Sequence, residues 1–285
     1  MKIIFIFILA LSYLGASEFD VKKIQDEFFS QVILKSFDTR EKLVAREKKF
    51  SIDALYWQKV KKHLKKYKSK FKKSQFISFV DLSNQVFILV LYDTSANNFF
   101  AIGFDFISSG DMSREVEVKS REDHYFKTPS GLFSIKSGWR SKGEMLDDNL
   151  TLPYGKKGSF VFYFGEQSSI RYNTFDINGT KIKDKKKHKL IRDKLKFAIH
   201  THKSSLEFGV PRSHGCIRMS EELNIFLDNN LVFFKHLYKD KKWTHPYKKP
   251  PKHPRNYFLA GEYMLVVDSV NINGKKTSKH MDELP

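Results

Sequence analysis

Apolar residues in the N-terminal part of the chain recur with the spacing of α-helices. Ile24, Phe28 and Val32 lie at four-residue steps, which predicts one buried helical stripe. A second segment opens at Asp53, a residue type that caps helix N-termini. Its apolar stripe comprises Trp57, Val60, Leu64, Tyr67 and Phe71. Lysines occupy the opposite face, so we expect the stripe to pack and the lysines to be solvated.

The apolar pattern changes from helical to strand-like after residue 75. Residues 76–92 are rich in Phe, Val, Ile and Leu around a turn at residues 81–84, which predicts a β-hairpin. Further strands are predicted within residues 99–107, 127–135, 159–164, 195–201 and 261–270. The segment 127–135 begins with a turn that leads into its strand. Ser220 is a suitable cap for a helix that begins at Glu221.

A long polar segment at residues 165–194 separates two of these strands. It contains the tight-turn dipeptide Asn178-Gly179 and a lysine-rich run at residues 181–189. A connection of this length is predicted to be a lid or binding loop, or else an unstructured loop.

The first residues have the pattern of a secretory signal peptide. Met1-Lys2 is a charged start, residues 3–14 are mostly apolar, and Gly15-Ala16-Ser17 supplies small residues for cleavage. About twelve apolar residues are too few to cross a bilayer comfortably. We therefore expect an exported protein of the periplasm or cell envelope.

The domain organisation follows from these shifts in pattern. We predict a signal peptide (1–17), a helical N-terminal region (18–75), a catalytic domain (76–240) and a C-terminal extension (241–285). The expected fold class is α+β, with a mostly β, sandwich-like or barrel-like domain between the two extensions.

The chain carries a formal net charge of +19, which favours anionic partners. Its basic segments lack a zinc-ligand pattern, an aromatic RNA-binding motif and a glycine-rich phosphate loop, so no nucleic-acid partner is expected. A solvated lysine surface and a peripheral contact with a membrane or an anionic wall polymer are the two alternatives that remain.

Candidate chemistry centres on Cys216, which is the only cysteine of the chain. It lies in the polar, glycine-containing segment Ser213–Arg218. One cysteine forms no intramolecular disulfide, and a free thiol is a liability in an oxidising compartment unless it is used. The alternative is a buried structural cysteine. A polar loop presents a thiol better than it buries one, which favours a nucleophile.

Three histidines are candidates for the base that a thiol nucleophile needs. His200 and His202 share one face of a predicted strand, about 7 Å apart, and alternation alone does not choose between them. His214 lies two residues before Cys216. The N–H groups of Gly215 and Cys216 are expected to point into one pocket and stabilise an oxyanion.

Arg218 lies two residues after the cysteine. Its guanidinium is expected to lower the pKa of the thiol or to hold a substrate carboxylate. A surface ion pair is the alternative role.

The combined pattern resembles the YkuD-type L,D-transpeptidase family. That resemblance rests on His200, followed sixteen residues later by the cysteine of Ser-His-Gly-Cys-Ile-Arg at residues 213–218. Residues 128–133 resemble the family's Thr-Pro-x-Gly-x-Phe segment. Residues 80–85 and 152–154 resemble its opening hairpin and a substrate-cleft segment. The resemblance covers roughly residues 76–235.

The resemblance implies a mostly β enzyme that acts on peptidoglycan stem peptides. It implies that Cys216 is the nucleophile, that His200 is the general base and that the carbonyl of Thr201 orients the imidazole. It also implies an oxyanion and substrate-binding set made of Ser213, His214, Gly215 and Arg218. No cofactor and no metal are expected.

The reaction implied is attack on the amide between the L-centre of diaminopimelate and D-alanine. An amine acceptor then gives a 3–3 cross-link, as in cell-wall biogenesis. Water gives an L,D-carboxypeptidase that trims tetrapeptide stems to tripeptides, an activity linked to cell shape. A non-catalytic wall-binding protein is the remote alternative.

Overall fold

The computed structural model describes residues 17–113, 124–144, 152–202, 208–235, 238–239, 242–243 and 256–269. All but the last residue of the predicted signal peptide, and most of the proline-rich and lysine-rich tail at 241–255, lie outside these ranges. The described α-helices are α1 (Val21–Phe28), α2 (Leu34–Ser36), α3 (Arg40–Lys49), α4 (Ala54–Lys65) and α5 (Glu221–Asn229). A π-helical segment, Phe29–Ile33, joins α1 to α2.

Eleven β-strands are present in the described ranges. They are β1 (Gln75–Asp81), β2 (Val86–Asp93), β3 (Asn98–Ser108), β4 (Gly131–Ser134), β5 (Ser137–Arg140), β6 (Phe160–Asn173), β7 (Lys189–Thr201), β8 (Ile217–Met219), β9 (Tyr238–Lys239), β10 (Lys242–Trp243) and β11 (Tyr263–Val267). Single turns of 3₁₀-helix lie at Lys68–Lys70, Lys185–Lys187 and Tyr257–Leu259.

Nine of these strands form one sheet in the order β4-β11-β1-β2-β3-β8-β7-β6-β5, and β9 pairs with β10 separately. The pairs β1–β11 and β7–β8 are parallel, and the other pairs are antiparallel. Strands β4 and β5 are the opposite edges, yet only Ile135 and Lys136 separate them in sequence. Two residues span less than about 10 Å, so the two edges approach each other and the sheet curls into a half-barrel. This confirms the predicted mostly β, barrel-like fold class.

Helices cover both faces of the first half of the sheet. Strand β2 is therefore buried along its whole length, which explains its uninterrupted apolar sequence. On one face, α4 packs through Tyr56, Trp57, Val60 and Leu64. On the other face, α1 packs through Ile24 and Phe28. The hydrophobic cluster on that face continues to α5, which lies against β6 and β7 and contributes Leu223, Phe226 and Leu227.

The N-terminal helices agree with the predicted stripes. Asp53 caps α4, accepting a hydrogen bond from the Tyr56 N–H at 2.7 Å. Phe28 lies directly on Gly103 of β3, where a Cβ atom would be 2.3 Å from the phenyl ring. These helices thus share hydrophobic clusters with the sheet, whereas the predicted boundary at residue 75 stays a prediction. In the described residues, no helix has the length and hydrophobicity needed to cross a membrane.

The strand predicted within residues 261–270 is confirmed as β11. It lies between β1 and β4, with Ile77 opposite Tyr263 in the parallel pair and Phe133 opposite Met264 in the antiparallel pair. In the described sheet, β4 therefore pairs with a strand that follows it by more than a hundred residues in sequence.

The prediction that residues 165–194 form a loop is wrong for half of that segment, which belongs to β6 and β7. Strands β6 and β7 continue as a hairpin arm, paired from Gly165 opposite Phe197 to Asn173 opposite Lys189. Only residues 174–188 connect the two strands. Both faces of this arm carry polar residues, so its sequence lacks the apolar alternation by which strands are predicted.

Candidate active site

The pairing of β7 with β8 brings the predicted chemical residues onto one face of the sheet. These strands are parallel, with Ile199 opposite Ile217 and His200 opposite Arg218. Ile199 and Ile217 are fully buried in the core. Because side chains alternate along a strand, His200 and Arg218 point to the opposite face, as does Cys216 immediately before β8. This face, on the outer side of strands β5 to β8, is called the catalytic face below.

His200 is held in a defined orientation by the backbone. Its ring is buried, and Nδ1 lies 2.8 Å from the carbonyl oxygen of Thr201. A carbonyl oxygen only accepts, so Nδ1 carries the proton and Nε2 is the basic nitrogen. Burial lowers the pKa of His200 to about 4, although the Thr201 carbonyl opposes this shift. The imidazole is therefore neutral at neutral pH and able to accept a proton.

The thiol of Cys216 is also neutral in the resting site. Burial raises the pKa of the Cys216 thiol, and this effect exceeds the opposing influence of the Ala198 backbone N–H and the Arg218 charge. The site thus holds a thiol and a neutral imidazole rather than a thiolate–imidazolium pair. Proton transfer must accompany attack on the substrate.

This protonation state predicts the pH dependence of alkylation. Thiolate is the reactive form, so iodoacetamide should modify Cys216 more slowly than free cysteine at pH 7. The rate should keep rising with pH without a plateau below about 8.5, the ordinary pKa of a free thiol. Mass spectrometry of the resting enzyme measures this rate, with the urea-denatured chain as control. A rate independent of pH between 6 and 8 would show a preformed thiolate and contradict the assignment.

The backbone around Cys216 is fixed by Ser213. Its hydroxyl donates to the Cys216 carbonyl at 2.5 Å and accepts from the Gly215 N–H at 3.0 Å. Gly215 has a φ of +137°, and a Cβ atom there would lie 2.7 Å from the Phe197 ring. Only glycine fits this bend without strain. The Gly215 N–H, which was expected to face an oxyanion pocket, donates to the Ser213 hydroxyl in this structure. Its role toward an oxyanion stays a prediction.

Thr128 fixes the next peptide unit. Its hydroxyl donates to the Gly215 carbonyl at 2.6 Å and accepts from the Gly110 N–H at 2.9 Å. The Gly215 carbonyl and the Cys216 N–H belong to one planar trans peptide and point in opposite directions. Thr128 therefore sets the direction of the Cys216 N–H and is a positioning residue. Thr128 is part of the segment at 128–133 that resembles the family, but the contacts of its hydroxyl with Gly215 and Gly110 follow only from the fold.

Replacing Thr128 with valine should lower kcat roughly 10- to 100-fold with little change in KM, because the peptide that carries the Cys216 N–H loses its anchor. Steady-state kinetics measure both constants. Thr128→Ser retains the hydroxyl and should recover most of the lost rate. A valine variant with normal kcat, or a serine variant as impaired as the valine variant, would refute the positioning role.

Two further predicted residues border this loop. The ring of His214 stacks on Tyr125, with centroids 4.1 Å apart. Its carbonyl accepts from the Phe126 N–H at 3.0 Å. Arg218 donates from Nη1 to the Arg212 carbonyl at 3.3 Å. The structure thus places Arg218 on the catalytic face and packs the His214 ring against the neighbouring loop.

A family model agrees with this arrangement. The YkuD model, which describes the L,D-transpeptidase catalytic domain, matches residues 75–232. The chain belongs to the YkuD family. This match covers more than half of the chain and includes Thr128, His200 and all of Ser213–Arg218.

Solved structures similar to the chain include the following three. Bd1075 from Bdellovibrio bacteriovorus is 14% identical, with a TM-score of 0.36 over 70% of this chain and 50% of that one. An L,D-transpeptidase from Xylanimonas cellulosilytica is 16% identical (TM-score 0.29, 69% and 62% covered). An L,D-transpeptidase from Mycobacterium smegmatis is 11% identical (TM-score 0.30, 68% and 59% covered). The chain therefore spans less than two thirds of the length of each. No curated protein matches it significantly.

Tyr154 is a residue of this YkuD site to which the sequence assigned no role. Its ring lies 5.0 Å from the His200 ring in an edge-to-face arrangement. Burial raises the pKa of Tyr154, and the nearby Cys216 raises it further. Tyr154 therefore lies against the His200 ring and near Cys216, and its phenol stays protonated. Tyr154 follows Pro153 in residues 152–154, which resemble a substrate-cleft segment of the family. That resemblance was the one indication in the sequence that Tyr154 belongs to the site.

His202 lies close to the same group of residues, as its place on the strand predicted. Burial lowers the pKa of His202 to about 3, and the charge of Arg218 adds to this effect. In the described part of the chain, its buried Nδ1 has no hydrogen-bond partner. Of these two histidines, His200 is the one whose Nδ1 is held by a backbone carbonyl, which favours His200 as the base.

Proposed function

We propose that the chain is an exported cysteine acyltransferase that acts on peptidoglycan stem peptides. The observation that carries the proposal is the catalytic face: the strand register directs Cys216 and His200 to it, and the Thr201 carbonyl orients the imidazole. Membership of the YkuD family supports L,D-transpeptidase chemistry. The proposed target is the amide between the L-centre of diaminopimelate and D-alanine.

In the acylation step, Nε2 of His200 takes the thiol proton as Sγ of Cys216 attacks the amide carbonyl. The C=O π bond opens to a tetrahedral oxyanion, which the Cys216 N–H stabilises from its fixed direction. The oxyanion then collapses, the C–N bond breaks and His200 returns the proton to the departing D-alanine amine. A thioester with Cys216 remains. Arg218 is proposed to hold a substrate carboxylate.

The second step determines the product. An amine of a second stem peptide attacks the thioester carbonyl, gives its proton to His200 and forms a 3–3 cross-link. Water in the same position gives a tripeptide stem, which is the L,D-carboxypeptidase alternative. Thiolate leaves in either case and regains its proton from His200, so both products use the same residues.

Incubation with a purified disaccharide-tetrapeptide, followed by mass spectrometry of the products, tests this proposal. A cross-linked dimer supports transfer and a tripeptide supports trimming. An acyl-enzyme heavier by the tripeptide-bearing fragment supports the thioester in either case. No product and no adduct with the folded chain would overturn the enzyme and leave the wall-binding alternative.

Export and an envelope location are part of the proposal. The charged start, the apolar run and the small residues at 15–17 support a cleaved signal peptide. The lysine-rich face of α4 supports a peripheral contact with an anionic polymer or membrane. Cell fractionation with N-terminal sequencing of the mature chain tests export, and a full-length cytoplasmic chain would exclude it.

A further inference from the structure

A row of aromatic rings leads away from the catalytic pair. The Tyr154 ring is 5.0 Å from His200, the Trp139 ring is 5.8 Å from Tyr154, and the Tyr163 ring is 6.3 Å from Trp139. Trp139 and Tyr154 are each 43% exposed. Large apolar rings exposed together in this way beside a reactive site mark a binding surface.

The strand register places this row on the catalytic face. Tyr163 lies opposite Ala198, and Trp139 lies opposite Val161. Directly paired residues point to the same side of a sheet, and Ala198 shares its side with His200. Trp139 on edge strand β5 therefore stands on the same surface as the nucleophile, with Tyr154 between them.

The chemistry of the row indicates an uncharged ligand. Its three side chains carry no formal charge, and burial raises the pKa of Tyr154, which keeps its phenol protonated. Exposed indole and phenol rings offer flat apolar faces and polar edges that donate hydrogen bonds. A sugar ring has matching features, since its C–H groups form apolar faces and its hydroxyls lie around the rim. A stem peptide with free carboxylates and amines matches the row less well.

The length of the row fits one part of the substrate. Two ring-to-ring steps of 5.0 Å and 5.8 Å separate His200 from Trp139. Three residues of extended peptide span roughly 10 Å, which is about the same distance. The scissile bond follows the third residue of the stem, and the first residue is joined to the sugar. A stem whose third carbonyl reaches Cys216 thus places its sugar near Trp139.

We propose that Trp139 and Tyr154 form a sugar-binding subsite that holds the glycan of the donor muropeptide. This inference rests on the proposed function, because it takes the stem peptide as the acylating group. The subsite makes the enzyme selective for stems that are still attached to sugar over free peptides. It also directs the donor stem along the catalytic face, with its C-terminal D-alanine away from β5.

Two substrates separate this inference from the proposed function: the disaccharide-tetrapeptide and the free tetrapeptide. Wild-type enzyme should acylate with a kcat/KM about tenfold higher on the disaccharide form, the effect of one good aromatic contact. Trp139→Ala should remove this preference by lowering kcat/KM on the disaccharide form only. Trp139→Phe keeps a ring and should retain most of the preference.

Tyr172→Ala is the matched control, because it removes another partly exposed ring roughly 30 Å farther along β6. It should leave the preference unchanged. Calorimetry with Cys216→Ala and the disaccharide-tripeptide gives a binding readout that does not depend on turnover, and Trp139→Ala should weaken it by about the same factor. Thermal melting confirms that each variant is folded.

Equal wild-type rates on both substrates would overturn the sugar subsite while the proposed function stands. So would an equal loss on both substrates in Trp139→Ala, which would indicate a contact with the peptide. Inactivity of the wild-type enzyme on both substrates would instead refute the proposed function itself.

Discussion

Cys216→Ala should abolish turnover of the disaccharide-tetrapeptide, with a loss on the order of 10⁴-fold or more. Removing the nucleophile removes the covalent step, and the remaining groups of the site only bind and polarise the substrate. The acyl-enzyme adduct should vanish from the mass spectrum at the same time. Cys216→Ser keeps a hydroxyl in the same place and should also be inactive, because a neutral imidazole activates an alcohol less effectively than a thiol.

The Cys216→Ala variant should remain folded. The residue lies in a loop just before β8, and its backbone is held by Ser213 and Thr128 rather than by the thiol. Its melting temperature is expected to stay within a few degrees of the wild type, since few apolar contacts are lost. Turnover equal to wild type in this folded variant would refute the cysteine mechanism.

His200→Ala should reduce kcat by about 10²- to 10⁴-fold, the range expected for a general base. The corresponding change at His202 should cost less than about tenfold, because its buried Nδ1 has no hydrogen-bond partner among the described residues. Steady-state kinetics on the two variants, with His200→Gln as a polar replacement, provide the comparison. The opposite order would mean that His202 is the base.

The pH profile gives a second check on His200. Its folded-state pKa of about 4 lies below the ordinary value of a histidine, so the ring stays neutral down to weakly acidic pH. The acidic limb of kcat/KM should therefore fall near or below pH 5, as protonation begins to remove the base. A limb near pH 6.5 would assign the rate to an unperturbed histidine instead.

Local patterns were sufficient to predict much of the core and to select Cys216 as the candidate nucleophile. The stripe that contains Trp57 and Leu64 predicted a packed helix, and the apolar runs around residues 81–84 predicted the hairpin of β1 and β2. Cys216 was recognisable because it is a single thiol in a polar, glycine-containing loop. Each of these signals depends only on neighbouring residues, which is why sequence reasoning reaches them.

The remaining features depend on long-range pairing. Alternation placed His200 and His202 on one face, but only the Nδ1 contact with the Thr201 carbonyl distinguishes them. The sequence suggested that the Gly215 N–H faces an oxyanion. It did not show that the Ser213 hydroxyl accepts from this N–H, because the folded loop brings the two groups together. Trp139 lies far from Cys216 in sequence and stands on the same face only through the pairing of β5 to β8. Tyr154 bridges Trp139 and His200 through ring contacts. Such contacts leave no local periodicity.

The position of β11 has a consequence for the order of events during synthesis. Strand β4 follows directly from the segment that holds Thr128, and β11 is its one neighbour in the described sheet. Residues 263–267 leave the ribosome after both β4 and Cys216, so β4 lacks its neighbour in the described sheet until then. The sheet that supports Thr128 and Cys216 is thus assembled only after β11 has been synthesised. A nascent chain that ends before β11 contains the Cys216 thiol but cannot yet form the full sheet around it.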